Sequence, residues 1–369
     1  MNKIKIGMFY LAVLFLSVSC IETLEIDTKT VQPKIVMNGI LEPDSIIKIK
    51  VSKSYNLEYT DTLDANRPLP QALIKDAILT LYVNDENLGP MTEAGVDGTR
   101  YHTGTFFRSK YHPKIGDKIR IEASATGLKS VWAETQIPKP IIINKIDTTT
   151  YYFKNDYHIN GFYDYAENTY HSQGFNLKIP EDAKSINMRL KIDIENDNSI
   201  NNYYAMSIYQ KVKETYNEFY FQTHLDLTNE PLFNNSAKNA IYAFFLEEGD
   251  SEYNAMIFDD NLFNNGKYTI NLSLWGYYFY KLKSYYGDET GDVVYNAPIE
   301  IYFDSLSKEL YNYVLASKNS SYDEIPFIFE KNTTYTNVHN GIGIVGSRAI
   351  AKTTINIPPY KGKIDSKND

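Results

Sequence analysis

One cysteine in 369 residues leaves this chain almost without thiol chemistry. With that residue, Cys20, acylated, no thiol remains, which excludes disulfides, thiolate catalysis and cysteine-ligated zinc. Tryptophan is scarce, at 2 residues. The longest apolar run, Ile6 to Val18, is 13 residues, short of the ~20 that a membrane-spanning helix needs. No run of five like charges occurs, so there is no polyelectrolyte tail. The G-x-S-x-G elbow and the P-loop are both missing. His102, His112, His158, His171, His224 and His339 are scattered, with no two close enough for a helical metal pair. The reading is therefore no catalytic residues, no metal and no cofactor.

What is present begins with the leader. Lys3 and Lys5 form a basic n-region, Ile6–Val18 an apolar core, and Ser19 is the small residue before Cys20. This is the anatomy of a secretory signal. A lone cysteine at the cut site makes it a lipoprotein signal peptide over 1–19, with Cys20 acylated (palmitate-type chains) and left as the new first residue. Ser17 departs from the usual lipobox, where Leu stands three places before the cysteine; here Leu16 is one place further back. Two or more acyl chains anchor stably where one does not. The membrane, through the lipid on Cys20, is thus the first expected partner, and the cell envelope the expected location. Ile21 follows the cysteine, and Glu22, Glu25 and Asp27 come next. That tract leaves the membrane face open. Losing Lys3 and Lys5 takes the formal net charge from −9 to −11. Such a balance excludes nucleic acid, whose phosphates need a basic patch.

The full sequence is 43% hydrophobic with 32 Tyr and 18 Phe, residues that favour strands. After a polar tether over 20–32, Lys34–Leu41, Ile46–Val51, Ala77–Val83, Arg100–Phe107, Lys118–Ala123 and Ser130–Ile137 read as short strands separated by Pro- and Gly-bearing breaks. They predict an N-terminal Ig-like β-sandwich over 33–137. Ile137-Pro138-Lys139-Pro140 is the best boundary signal, because two prolines stiffen it and cannot donate backbone hydrogen bonds. A larger C-terminal β-rich domain over 138–369 follows. Its clearest strands are Phe175–Ile179, Met188–Ile194, Tyr203–Lys211, Phe219–Leu227, Ile241–Leu246, Tyr268–Trp275 and Gly341–Ile357. One short helix is expected from Ser305 to about Ser317, with Ser305 as its cap and Leu306, Leu310, Tyr313 and Val314 on one face. The fold class is mainly β, with two antiparallel β-domains.

Three segments invite chemistry. Gly341-Ile-Gly-Ile-Val-Gly346 matches a dinucleotide fingerprint, yet strand character follows it where a helix is required, so it reads as a glycine-rich turn or bulge. Asp259-Asp260-Asn261 lacks the calcium-loop frame and reads as a solvated loop. Trp275, Tyr277, Tyr278 and Tyr280 form the densest aromatic cluster. Exposed aromatics stack on sugar rings or anchor interfaces, whereas alternate burial would place them in a core. They are the candidate binding residues.

The block from Ile257 to Leu272, the segment from Ile299 to Val314, and Tyr335–Gly346 stand in a telling order. With Pro33–Ile40 soon after the cysteine, they resemble the Bacteroidota lipoproteins grouped as domain-of-unknown-function family 4249. Ser17 and the Ile344-Val345 ending, where an aromatic is common, depart from that pattern. The resemblance implies an exported, lipidated protein, often encoded beside TonB-dependent outer-membrane transporters, and carries no catalytic residue. The expected function is a non-enzymatic outer-membrane lipoprotein that binds, as an accessory to such a transporter. A glycan or peptide hydrolase with an assembled carboxylate site is the second reading, and a structural surface or adhesion module the third.

Overall fold

A computed structural model describes residues 32–54, 72–97, 103–154, 162–164, 169–171, 184–213, 218–222, 224–227, 230–233, 240–241, 254–277, 298–318 and 335–356. The leader, Cys20, nearly all of the tether, the expected strand Phe175–Ile179, and Tyr278 and Tyr280 lie outside the described residues.

The first eight strands are β1 (Ile35–Leu41), β2 (Lys48–Lys53), β3 (Ile78–Val83), β4 (Glu86–Pro90), β5 (Thr92–Asp97), β6 (Gly104–Arg108), β7 (Lys118–Ser124) and β8 (Val131–Gln136). Their sequences alternate, and the alternation becomes burial. Ile35, Met37 and Leu41 of β1 and Ile49 and Val51 of β2 point into one core. Leu79, Leu81, Ile119, Ile121 and Ala133 meet them from the facing sheet, ordered β4-β3-β7-β8. Asn84 and Asp85 both have positive φ, 51° and 68°. They make the two-residue turn that matches the strand twist of a β3–β4 hairpin.

The second group is β9 (Ile142–Lys154), β10 (Phe162–Asp164), β11 (Thr169–His171), β12 (Lys184–Glu195), β13 (Tyr203–Lys213), β14 (Glu218–Gln222), β15 (His224–Asp226), β16 (Ala240–Ile241), β17 (Asn254–Asp259), β18 (Lys267–Tyr277), β19 (Ile299–Leu306), helix α1 (Lys308–Lys318) and β20 (Ile342–Ile355). A four-stranded sheet, β15-β18-β12-β9, supplies Met188, Leu190, Ile192, Ile270, Leu272 and Leu274 to a second core. Tyr204, Met206, Phe258, Ile301 and Phe303 of β13, β17 and β19 close it. Ile137 belongs to the first core and Ile141 to the second, one on each side of the Pro138–Pro140 segment.

The two sandwiches share one sheet of ten strands, ordered β16-β17-β13-β19-β20-β1-β2-β6-β5, with β14 beside β13. Strand β20 joins the halves. Ile342–Ser347 pair parallel with Val36–Leu41 of β1. Arg348–Ile355 pair antiparallel with Leu306–Ile299 of β19. Val345 is buried in the first core and Ile355 in the second. The expected N-terminal unit over 33–137 therefore omits Val338 and Val345, which come from the other end of the chain. The sheets are otherwise antiparallel among the described strands, and β1–β20 is a parallel pair. A parallel pair requires a long crossover, and nearly the whole chain separates these two strands.

The helix starts later than Ser305. Ser307 Oγ accepts from Leu310 N at 3.3 Å, the geometry of an N-cap. Ser305 lies in β19 and its Oγ accepts from Ile141 N at 2.9 Å. Leu310 and Val314 of α1 pack on Ala205, Ala255, Ile257 and Leu306, on the sheet face away from the second core. Gly346 lets the helix approach: a Cβ there would stand 2.7 Å from Leu310 Cβ. Gly346→Val should destabilise by about 1–3 kcal/mol through overpacking. A thermal melt followed by circular dichroism measures it, and an unchanged midpoint would refute the close fit.

Candidate functional site

β18 sends Ile270, Leu272 and Leu274 into the core, so positions 269, 271 and 273 belong to its opposite face. Trp275 and Tyr277 continue that second set of positions. The register is unbroken there, with Asn187 beside Trp275 and Ser185 beside Tyr277 on β12, and His224 beside Trp275 on β15. Of Trp275 and Tyr277 the backbone alone is described, and Tyr278 and Tyr280 lie outside the described residues. The described part of the same face is polar. Thr269 Oγ1 donates to Asp193 at 2.6 Å, and Lys145 Nζ to Asp147 at 2.7 Å. Lys267 pairs with Glu195 at 3.7 Å. The described part of this face thus carries its ion pair at the 267 end.

The other sequence candidates have structural work. Asp260 Oδ2 accepts from the amides of Asn196 and Asn202, each at 2.8 Å, and so ties together the loops that join β12 to β13 and β17 to β18. Gly341 and Gly343 open β20. Gly343 has φ 110°, and a Cβ there would run into the Met37 carbonyl. A strand follows the glycines, as the bulge reading requires, and no helix does. His339 stacks flat on Trp132, ring centroids 3.7 Å apart. Arg120 lies over the same indole at 4.8 Å. Among the described residues, no group of three or more His, Cys, Asp and Glu is arranged to hold a metal.

A partly buried row of charges escaped sequence reasoning. Arg348 Nε donates to Glu42 at 2.6 Å, and its Nη1 donates to Asp304 at 3.4 Å. These three residues lie on the end of β1, on β20 and on β19, where the halves of the large sheet meet. Further along, buried Glu300 receives Lys352 Nζ at 2.9 Å and the Tyr302 hydroxyl at 2.6 Å. The available signal was a charged residue at every fourth position, Glu300 and Asp304 in β19 and Arg348 and Lys352 in β20, but the oppositely charged partners are more than forty residues apart.

Burial pushes the Asp304 carboxyl up to about 6; Arg348 opposes that rise and Glu42 adds to it. The acid holds its proton more tightly folded than unfolded. Its contribution to stability is therefore complete below ~3.9 and is lost as pH rises through about 6. Urea midpoints at pH 5 and pH 7 check this. The wild type should lose roughly 1 kcal/mol across that interval that Asp304→Asn does not lose. Parallel profiles for the two proteins would remove Asp304 as the cause.

No curated protein matches this chain. A family model described as a domain of unknown function, DUF4249, matches residues 21–354, which is most of the chain. The chain belongs to the DUF4249 family.

Proposed function

We propose that the protein is a lipid-anchored, non-enzymatic binding protein of the outer membrane, an accessory to a TonB-dependent transporter. The observation that carries the reading is the placement of the anchor. Cys20 directly follows a signal-type leader, and 14 residues separate it from Ile35, the first residue of β1. β1 lies between β20 and β2, in the middle of the ten-stranded sheet. A pull on the lipid reaches a strand hydrogen-bonded on both edges, not a frayed terminus. The binding part of the proposal falls on the end of β18, at Trp275 and Tyr277. Transporter association rests on the family resemblance alone.

Cys20→Ala should move the protein from the membrane to the soluble fraction and remove the acyl mass; persistence with membranes would refute the anchor. Crosslinking in intact cells then identifies the partner. Interface anchors cost more than ~2 kcal/mol on truncation, so Trp275→Ala with Tyr277→Ala should weaken its capture at least ~tenfold. A folded double variant with full capture would exclude this end of the strand. Turnover of a glycan or peptide, abolished by one carboxylate substitution, would replace the binding function with hydrolysis.

A further inference from the structure

Two domains joined by a short linker are expected to move and unfold separately unless a large interface holds them. Here the link is a strand. Ser347 is the last β20 residue paired with β1, and Arg348 is the first paired with β19. These are consecutive residues, so no hinge separates the halves. Without β20, β1 loses its partner on one edge and the first core loses Val345. β19 likewise becomes an edge, and the second core loses Ile355.

The crossing point is also stitched by buried polar groups drawn from both sides. Ser347 Oγ donates to the Gln136 carbonyl at 2.6 Å and lies 3.1 Å from Thr135 Oγ1, both on β8 of the first sandwich. Ser347 N donates to Ser307 Oγ at 3.2 Å, and Ser307 N donates back to the Ser347 carbonyl at 2.9 Å. Ile141 N, leaving the linker, donates to Ser305 Oγ in β19. Asn337 adds a bridge. Its Nδ2 donates to the carbonyls of Glu134 in β8 and Val345 in β20, at 2.9 and 2.8 Å, while its Oδ1 accepts from Val345 N at 3.0 Å. Opening one sandwich strands buried donors and acceptors in the other, and an unmade buried hydrogen bond is expensive.

We infer that β20 makes the two sandwiches one cooperative unit, so that a ligand or a mutation acting on either is felt in full by the other. The consequence is a mechanical and thermodynamic coupling: occupancy of the C-terminal sandwich stabilises the N-terminal sandwich, into which the tether runs. This inference stands on the sheet topology and holds whatever the protein binds.

The chain carries a reporter for each half, with Trp132 in β8 and Trp275 in β18. The experiment uses the full mature chain with Cys20→Ser, as Trp275→Phe to watch Trp132 and as Trp132→Phe to watch Trp275. Urea unfolding is followed by fluorescence and by far-UV circular dichroism on the same samples. Coupling requires one transition in each protein, with the same midpoint from both signals. Phe303→Leu, a milder change than truncation at a fully buried site in the second core, should then lower the Trp132 midpoint as much as the Trp275 midpoint. Asn337→Ala should likewise lower both equally. A biphasic circular dichroism curve, or a Trp132 midpoint that ignores Phe303→Leu, would overturn the inference. A variant too unstable to fold at all is read by its other half: a cooperative Trp132 transition surviving loss of the second core overturns it, and loss of both supports it.

Discussion

A β-strand offers hydrogen bonds along two edges, and β20 spends its first half on one edge and its second half on the other. Ile342–Ser347 use β1, and Arg348–Ile355 use β19. Every other feature of the architecture accommodates this stagger. The unused edge of the first half is satisfied by side chains: the Gly343 carbonyl accepts from Thr336 Oγ1 at 2.7 Å, Val345 is matched by Asn337, and Ser347 by Ser307. Glycine recurs where β20 begins because neighbours leave no room. A Cβ on Gly341 would meet the Ile35 carbonyl oxygen and Val338 Cγ1, each at 2.7 Å, and one on Gly346 would meet the helix. The fingerprint-like spacing of these glycines is thus a record of close packing.

The same device, a polar side chain standing in for a strand, recurs at the edge of the smaller sheet of the second sandwich. β15 pairs with β18 only over three residues, 273–275. Beyond it, the buried Glu230 carboxylate accepts from Asn271 N at 2.6 Å, from the Tyr268 hydroxyl at 2.6 Å and from Leu232 N at 3.1 Å. The short 3-10 turn Pro231–Phe233 then inserts Leu232 and Phe233 into the core. Burying a charged group is costly unless its lone pairs are filled, and here three donors fill them. Burial has a matching effect on Tyr268, whose hydroxyl is pushed above its usual range, with Glu230 adding to the rise.

Local pattern made most strands legible. Ile-Lys-Ile-Lys-Val in β2 and the alternating runs of β7 and β8 announce one buried face, because a period of two is a property of the strand itself. Helix α1 was legible from its apolar face, but its start was misplaced by the choice between two serines. Ser305 and Ser307 are equivalent as cap formers, and only the demand of Ile141 N for a buried acceptor separates them. The pairing of β20 with β1 was not legible at all. It joins residues some three hundred positions apart, and nothing in either local sequence encodes the partner. For the same reason the strand partners of Trp275 and Tyr277 could not be read from the sequence, although the cluster itself was visible in composition.

Register in β20 raises a harder physical problem than its location. A slip of one residue turns every side chain to the other face, and hydrophobic patterning normally forbids it. Here Ile344, Val345, Gly346 and Ser347 are all buried, so the two faces of this stretch look alike to the hydrophobic effect. Charge breaks the symmetry. In the observed register Arg348 reaches Glu42 and Asp304 together. A one-residue slip would drive the guanidinium toward the face that carries Ile299, Ile301 and Phe303, all buried in the second core. Buried ion pairs are weak sources of stability, since desolvation offsets much of the attraction. Their strength is in what they disallow, because an unpaired buried charge is far worse than a paired one. Gly343 and Gly346 act in the same direction, because each stands where a Cβ cannot fit. Arginine and glycine therefore select the single alignment in which one strand can serve two cores.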